Sequence, residues 1–219
     1  MTASPAPSRL PQARDQRVYA AVRELLAEAG MRLSMDAVAA RAGCSKQTLY
    51  SRYRSKQDLL QRVMQDHTEL SATHLGPAQG ELRGSLLRFA REYLEQLSEP
   101  SVLQSCQLIA AESRHFPEQV RALFRDSAEA LMQRLSERLQ LAVAAGQLRH
   151  DDPHFMAELL LSMIVGMDFE RQRFHTAHRS DAAAQRAWAE FAVDGFLRAF
   201  AAPPAPSLSF SIPDRSTTR

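Results

Sequence analysis

The sequence predicts an all-α protein of about nine helices, with an N-terminal helix-turn-helix unit and a C-terminal helical domain. Three observations carry that prediction. Ala, Leu, Arg, Glu and Gln dominate the 219 residues, and all five are good helix formers. Strand-like runs of Val, Ile and Thr are almost absent, and glycine occurs only 8 times. Apolar residues recur at helical spacing in one segment after another.

Residues 1–13, MTASPAPSRLPQA, are rich in Pro, Ser and Ala and are expected to form a flexible arm. Over 14–30, Val18, Val22, Leu25, Leu26 and Ala29 recur at helical spacing, and Gly30 supplies a stop. Ser34 is the N-cap of a short second helix, and Gly43 falls just past its end. Ser45 caps a third helix to about Tyr53. Ser55 caps a fourth, with Asp58 at capping-box spacing. That fourth helix passes through Leu59, Leu60, Val63, Met64, His67 and Leu70 towards Leu75 and ends before Gly76-Pro77.

Helical segments at 81–98 and 101–116 follow, parted by Glu99-Pro100. Pro117 opens a long helix to Gly146, with Val120, Leu123, Phe124, Leu131, Leu135, Leu139 and Val143 on one face. Asp152 caps a helix that has Pro153 at its first position and is expected to reach about His178. A last helix covers roughly 181–201. The tail 203–219, rich in Pro, Ser and Thr, is expected to be disordered.

Several functional classes are excluded. Cys44 and Cys106 make neither a disulfide framework nor a zinc spacing. The longest apolar stretch, LLLSMIVGM at 159–167, is too short to span a bilayer, and no signal peptide precedes it, so a cytoplasmic protein with no membrane partner is expected. No Gly-rich phosphate loop, nucleophile elbow or HExxH motif is present, so no catalytic residues are assigned and no enzyme is expected. His150, Asp151, Asp152 and His154 have metal-ligand chemistry, but Asp152 is better explained as an N-cap and its neighbours as turn residues. Glu170, His175 and His178 are better explained as a solvated face. No metal or cofactor is expected.

The formal net charge of +2 hides an asymmetry. Residues 1–60 carry ten Lys and Arg against five Asp and Glu, a basic head on a near-neutral body. The only two lysines, Lys46 and Lys56, lie in GCSKQTLYSRYRSK at 43–56. Helix, glycine turn, helix is the outline of a helix-turn-helix. Ala39 is small where the helices cross, Gly43 supplies the turn, and Leu49 fills the core between them.

With Leu49 inward, Tyr53 falls about 40° away on the core face, while Gln47 and Ser51 fall about 160° away. Thr48 and Tyr50 flank them. This outward face is hydrogen-bonding and free of carboxylates, which suits base edges in a major groove. Lys46 adds its charge to the helix N-terminus, and Ser45, Tyr50, Arg52 and Lys56 are placed to hold phosphates.

The segment from VYAAVRELL through KQDLLQRVM resembles the DNA-binding domain of the TetR family of bacterial repressors. The resemblance rests on Val38-Ala39, Ala42-Gly43-Cys44-Ser45, Leu49-Tyr50, Tyr53, Lys56 and Leu59-Leu60. Cys44 stands where Val is usual, Arg52 where many members have His, and Tyr53 where most have Phe. The remainder, from LIAAESRHFPEQV to LLLSMIVG, is similar to the C-terminal domain of the AefR-like, AcrR-related branch.

The resemblance implies a domain at 14–60 that binds double-stranded operator DNA and an effector-binding and dimerisation domain at 61–202. It implies a homodimer through the helices at 153–178 and 181–201, whose load of Phe155, Leu159, Met163, Ile164, Met167, Trp188, Phe191, Phe196 and Phe200 fits pairing or burial. It also implies an effector cavity, for which Met64, His67, Phe89, Tyr93, Cys106, Ile109, Phe124, Met163 and Met167 are the inward-facing candidates. So lined, the cavity would take a small lipophilic or aromatic molecule. For any one of these residues, ordinary core packing is the preferred account. A protein partner or simple abundance is the alternative means of control.

Overall fold

The computed structural model describes residues 13–76 and 80–202, with the backbone alone for Ala13, Arg14, residues 67–71 and Asp126. The expected tail, and the expected arm up to residue 12, lie outside the described residues. Ala13 opens the first helix. In chain order the helices are α1 Ala13–Ala29, α2 Met35–Arg41, α3 Lys46–Arg52, α4 Lys56–Ala72, α5 Leu82–Leu97, α6 Pro100–Glu112, α7 Pro117–Ala144, α8 Pro153–Val165, α9 Asp168–Arg173 and α10 Ala182–Ala199. Tight 3-10 turns at Gly30–Arg32 and Thr73–Leu75 follow α1 and α4. The protein is all-α: the described residues contain no strand, only a lone bridge between Leu148 and Ala201.

The caps form where short polar side chains precede apolar runs. Ser34 Oγ accepts from the Ala37 amide at 3.1 Å, and Ser45 Oγ from that of Thr48 at 3.1 Å. Asp152 accepts from the amides of His154 and Phe155 at 2.8 and 3.0 Å. Each such cap stabilises its helix by about 1 kcal/mol.

Ten α-helices replace the expected nine because the segment expected to run to His178 breaks at Gly166. Gly166 adopts φ +58°, and a Cβ there would come within 2.8 Å of the Trp188 ring. The Trp188 indole N–H donates to the Ile164 carbonyl at 2.7 Å, taking up an acceptor freed by the helix end. Beyond the break, buried Asp168 accepts from the amides of His178 and Arg179 at 2.9 and 3.2 Å and folds the loop back. Burial opposes its ionisation, but those amides and the Arg179 guanidinium outweigh that and hold its carboxyl below the usual range.

Two apolar cores result. The first joins Val22, Leu26, Met31, Val38, Leu49, Tyr53, Leu59 and Leu60 from the first four helices and the turns between them. Leu123 of α7 enters it, and Ile109, Phe116 and Val120 pack against it. The second joins Leu86 and Phe89 of α5, Leu135 and Leu139 of α7, Met156, Leu160 and Ile164 of α8, and Val193 and Phe196 of α10. Two helices therefore serve both: α7, and α4, which places Leu59 and Leu60 in the first core and Ala72 in the second.

A polar clamp adds to this junction. The Met31 amide donates to Glu112 Oε2, and Arg32 Nε forms an ion pair with Glu112 Oε1 at 3.0 Å. From the other side, Lys56 Nζ donates to the Met31 carbonyl at 2.8 Å. Gly30, at φ +54°, leaves room for the carboxylate, because a Cβ there would lie 2.5 Å from Glu112 Oε2.

Two stability outcomes follow. Gly166→Ala combines backbone strain with the Trp188 clash and is expected to lower unfolding stability by roughly 1–3 kcal/mol, read by thermal or urea denaturation. Glu112→Ala removes both clamp bonds and leaves the Met31 amide unpaired, at about 1–3 kcal/mol. Hydrogen exchange at Met31 is expected to accelerate in that variant while the α5 and α10 core amides keep their protection.

Candidate nucleic-acid interface

The turn between α2 and α3 is built on Gly43, whose φ of +63° is the left-handed conformation that ends α2. The Gly43 and Cys44 amides return to the carbonyls of Ala40 and Ala39 at 3.3 and 3.0 Å, and α3 starts three residues on. Leu49 and Tyr53 then anchor α3 in the first core, only 1% and 2% exposed. With that face fixed, Gln47, Tyr50 and Ser51 are exposed, and Thr48 is half-buried.

The small hydroxyls on this helix are partly engaged with one another. Ser45 Oγ and Thr48 Oγ1 are 2.8 Å apart, and Ser51 Oγ donates to the Thr48 carbonyl at 2.9 Å. Tyr53 differs from Tyr50: its hydroxyl donates inward to Asp15 Oδ1 at 2.9 Å. Burial pushes the Tyr53 phenol well above its ordinary value, so it stays neutral and keeps that proton.

The basic residues divide. Lys46 is exposed and pairs with Asp36 of α2 at 2.6 Å. Both partners are solvated, so the pair is weak and readily exchanged for a phosphate. Arg52 is turned back along the head, with Nη2 at 2.9 Å from Asp15 Oδ2. Lys56, expected to hold phosphate, is turned inward in this arrangement. Its ammonium is committed to the Met31 carbonyl and lies 6.0 Å from the centre of the Phe116 ring. Asp36 was not foreseen as part of this surface. It lies in the first turn of the preceding helix, which a projection of α3 alone does not register.

The effector candidates do not converge on one cavity. Phe89 is fully buried and stacks on Tyr93 with ring centres 5.5 Å apart, and Met163 packs against the same core. Met64 and Ile109 pack against the other core. Cys106 is partly buried, and burial pushes its thiol up. The side chain of His67 lies outside the described residues.

Phe124 and Met167 contradict the inward assignment: they are 73% and 66% exposed. Leu123 takes the inward seat beside Phe124, because the inner face of α7 rotates as the helix passes from one core to the other. Met167 follows the Gly166 break and is turned out with the link to α9. Among the described residues, no three His, Cys, Asp or Glu side chains could share a metal ion, and no helix is long and apolar enough to cross a membrane.

Known proteins carry the same arrangement. Residues 18–63 match the family model described as bacterial regulatory proteins, tetR family. Residues 84–202 match the model of the AefR-like transcriptional repressor C-terminal domain. No curated protein matches the chain. Among solved structures, the chain is similar to the flavonoid-responsive regulator FrrA at 30% identity and TM-score 0.65, covering 88% of this chain and 98% of that one. It is similar to a TetR family transcriptional regulator from Pseudomonas syringae at 26% identity and TM-score 0.62, covering 88% and 98%. A regulator from Agrobacterium tumefaciens shares the fold at 21% identity and TM-score 0.66, covering 87% and 96%. Two model matches spanning both cores, together with a seated recognition helix, place the chain in the TetR family of bacterial transcriptional regulators.

Proposed function

We propose that the protein is a homodimeric repressor that holds a pseudo-palindromic DNA operator and is released from it by a small, lipophilic effector. The carrying observation is the outward face of α3, where Gln47, Tyr50 and Ser51 are exposed on a helix anchored by Leu49 and Tyr53. Gln47 and Ser51, with Thr48 at the flank, are the base-reading groups; Lys46, Tyr50 and Ser45 hold phosphates, and Arg52 joins them when it leaves Asp15. Lys56 acts by holding the turn before α2.

Dimerisation through α8 and α10 is supported by apolar side chains that the single chain leaves uncovered. Phe155 and Leu159, one turn apart on α8, are 68% and 45% exposed, and Phe191 of α10 is 64% exposed. Large apolar groups left in water on two packed helices mark a partner surface. A two-fold axis there sets the two α3 helices one DNA turn apart, about 34–36 Å. Control by an effector draws support from FrrA, which is named as flavonoid-responsive. Control by a protein partner or abundance is the second reading, favoured by the dense packing of Phe89 within the body core.

The test is operator binding by the full chain at several salt concentrations, with the operator found by selection from random duplexes. Lys46→Ala removes one phosphate contact per protomer and is expected to weaken binding to all sequences and to reduce the salt slope of the dimer by about two. Gln47→Ala is expected to relax specificity at one base position, costing about 1–3 kcal/mol there. Asp36→Asn releases Lys46 and is expected to tighten binding up to about fivefold. Salt-independent binding, or indifference to both Lys46→Ala and Gln47→Ala, sinks the reading. Pairing Phe155→Glu with Phe191→Glu is expected to give a monomer by light scattering that loses operator affinity by about a hundredfold or more.

A further inference from the structure

Away from α3, a groove of about 490 Å³ lies between the end of α4 and the C-terminal half of α7. None of the effector candidates named above lines it. Its apolar walls come from Ala72 and Leu75, both buried, and from Leu141, which is 48% exposed. Its polar wall comes from α7, where Arg134 and Arg138 are one turn apart.

Arg138 is unusual for a surface groove, since only 6% of it is exposed. Its Nε donates to Ser85 Oγ at 3.4 Å and its Nη2 to the Gly80 carbonyl at 3.3 Å, both long for hydrogen bonds. A guanidinium has five N–H donors, so two long contacts with neutral acceptors leave it under-used. Glu81 is the carboxylate that acts on it through space, and that group is already bonded to the Arg83 and Gly84 amides at the start of α5. No ion pair to Arg138 forms among the described residues. A charge buried in this way is costly unless something paired with it returns the energy. The same burial pulls its pKa down, as expected of a cation without a matched anion.

We propose that this groove is a binding site for a small organic monoanion, an apolar body bearing one carboxylate, with the carboxylate held by Arg138. The planar fork of Arg138 matches a carboxylate. The apolar body lies along Leu75, Ala72 and Leu141. Glu137 sets the limit of one negative charge: it lines the same groove, with Oε1 taken by the Gln133 amide at 2.8 Å. The inference deepens the proposed effector response and rests on that reading for its regulatory consequence, while the binding itself stands apart from DNA.

The experiment is calorimetry on the full chain without DNA, using 2-naphthoate and its neutral counterpart 2-naphthamide. Saturable binding of the naphthoate, with the amide weaker by about tenfold or more, is expected. Arg138→Met is expected to abolish that preference. Because that variant also loses its bonds to Ser85 and Gly80, Leu141→Glu serves as the fold-neutral arm. It places a repelling charge on the exposed wall and is expected to cut the carboxylate preference by a similar factor. Equal affinity for the two probes, no saturable naphthoate binding, or a preference that survives Leu141→Glu overturns the site. Naphthoate that binds as expected but leaves operator affinity unchanged overturns effector release at this groove and leaves the binding site standing.

Discussion

The carboxylate of Glu112 holds the point on which the arrangement of the head turns. It receives the Met31 amide and the Arg32 guanidinium, while Lys56 takes the Met31 carbonyl from the opposite side. Two helices therefore meet the α1–α2 turn at one residue, Met31: α6 through Glu112 and α4 through Lys56. The two Met31 bonds are part-buried, so each is worth more than a solvated equivalent and costs more to leave unmade, whereas the exposed Arg32 adds little. Met31 itself is fully buried, which lets the same residue anchor the core and the clamp. The position of α3 follows from α2, and that of α2 from this turn.

Most of the head was legible in the sequence because its signals are local. Ser34, Ser45 and Gly43 act within four residues of themselves, and the seat of Leu49 and Tyr53 follows from helical geometry. What escaped was set by partners far along the chain. Lys56 turns inward because Met31 and Phe116 are there to receive it, and Arg52 because Asp15 is. Neither pairing leaves a periodic trace. Gly166 lies inside an apolar run that periodicity reads as continuous helix, and only Trp188, arriving from α10, explains its break.

The body was less legible for a related reason. A residue's apolar character says that it is covered, not by what. Phe89, Met64 and Phe124 look alike as cavity candidates, yet the structure assigns one to each core and leaves the third in water. Exposed Phe155, Leu159 and Phe191 sit on the helices that the sequence set aside for pairing, where burial by a second copy and burial within one chain give the same sequence pattern. The buried arginine left no signal either, since an Arg on a helix is ordinarily a solvated one.

Two helices reach from the groove to the head. α4, 17 residues long, ends at the groove wall with Ala72 and begins at Lys56, which is bonded to the Met31 carbonyl. α7 places Arg138 at the groove and Leu123 in the head core. The two pack along one another, and α4 spans about 25 Å at the rise of an α-helix. A rigid rod pinned at Met31 cannot shift at its groove end without altering the load on that pin. An anion drawn to Arg138 would change the spacing of Ala72 and Leu75 from α7, because the ligand's apolar body must lie between those walls. Under the proposed function, release needs no rearrangement of the body core. It needs a small change in the α4–α7 separation, delivered to Met31, the residue that sets the attitude of the recognition helix.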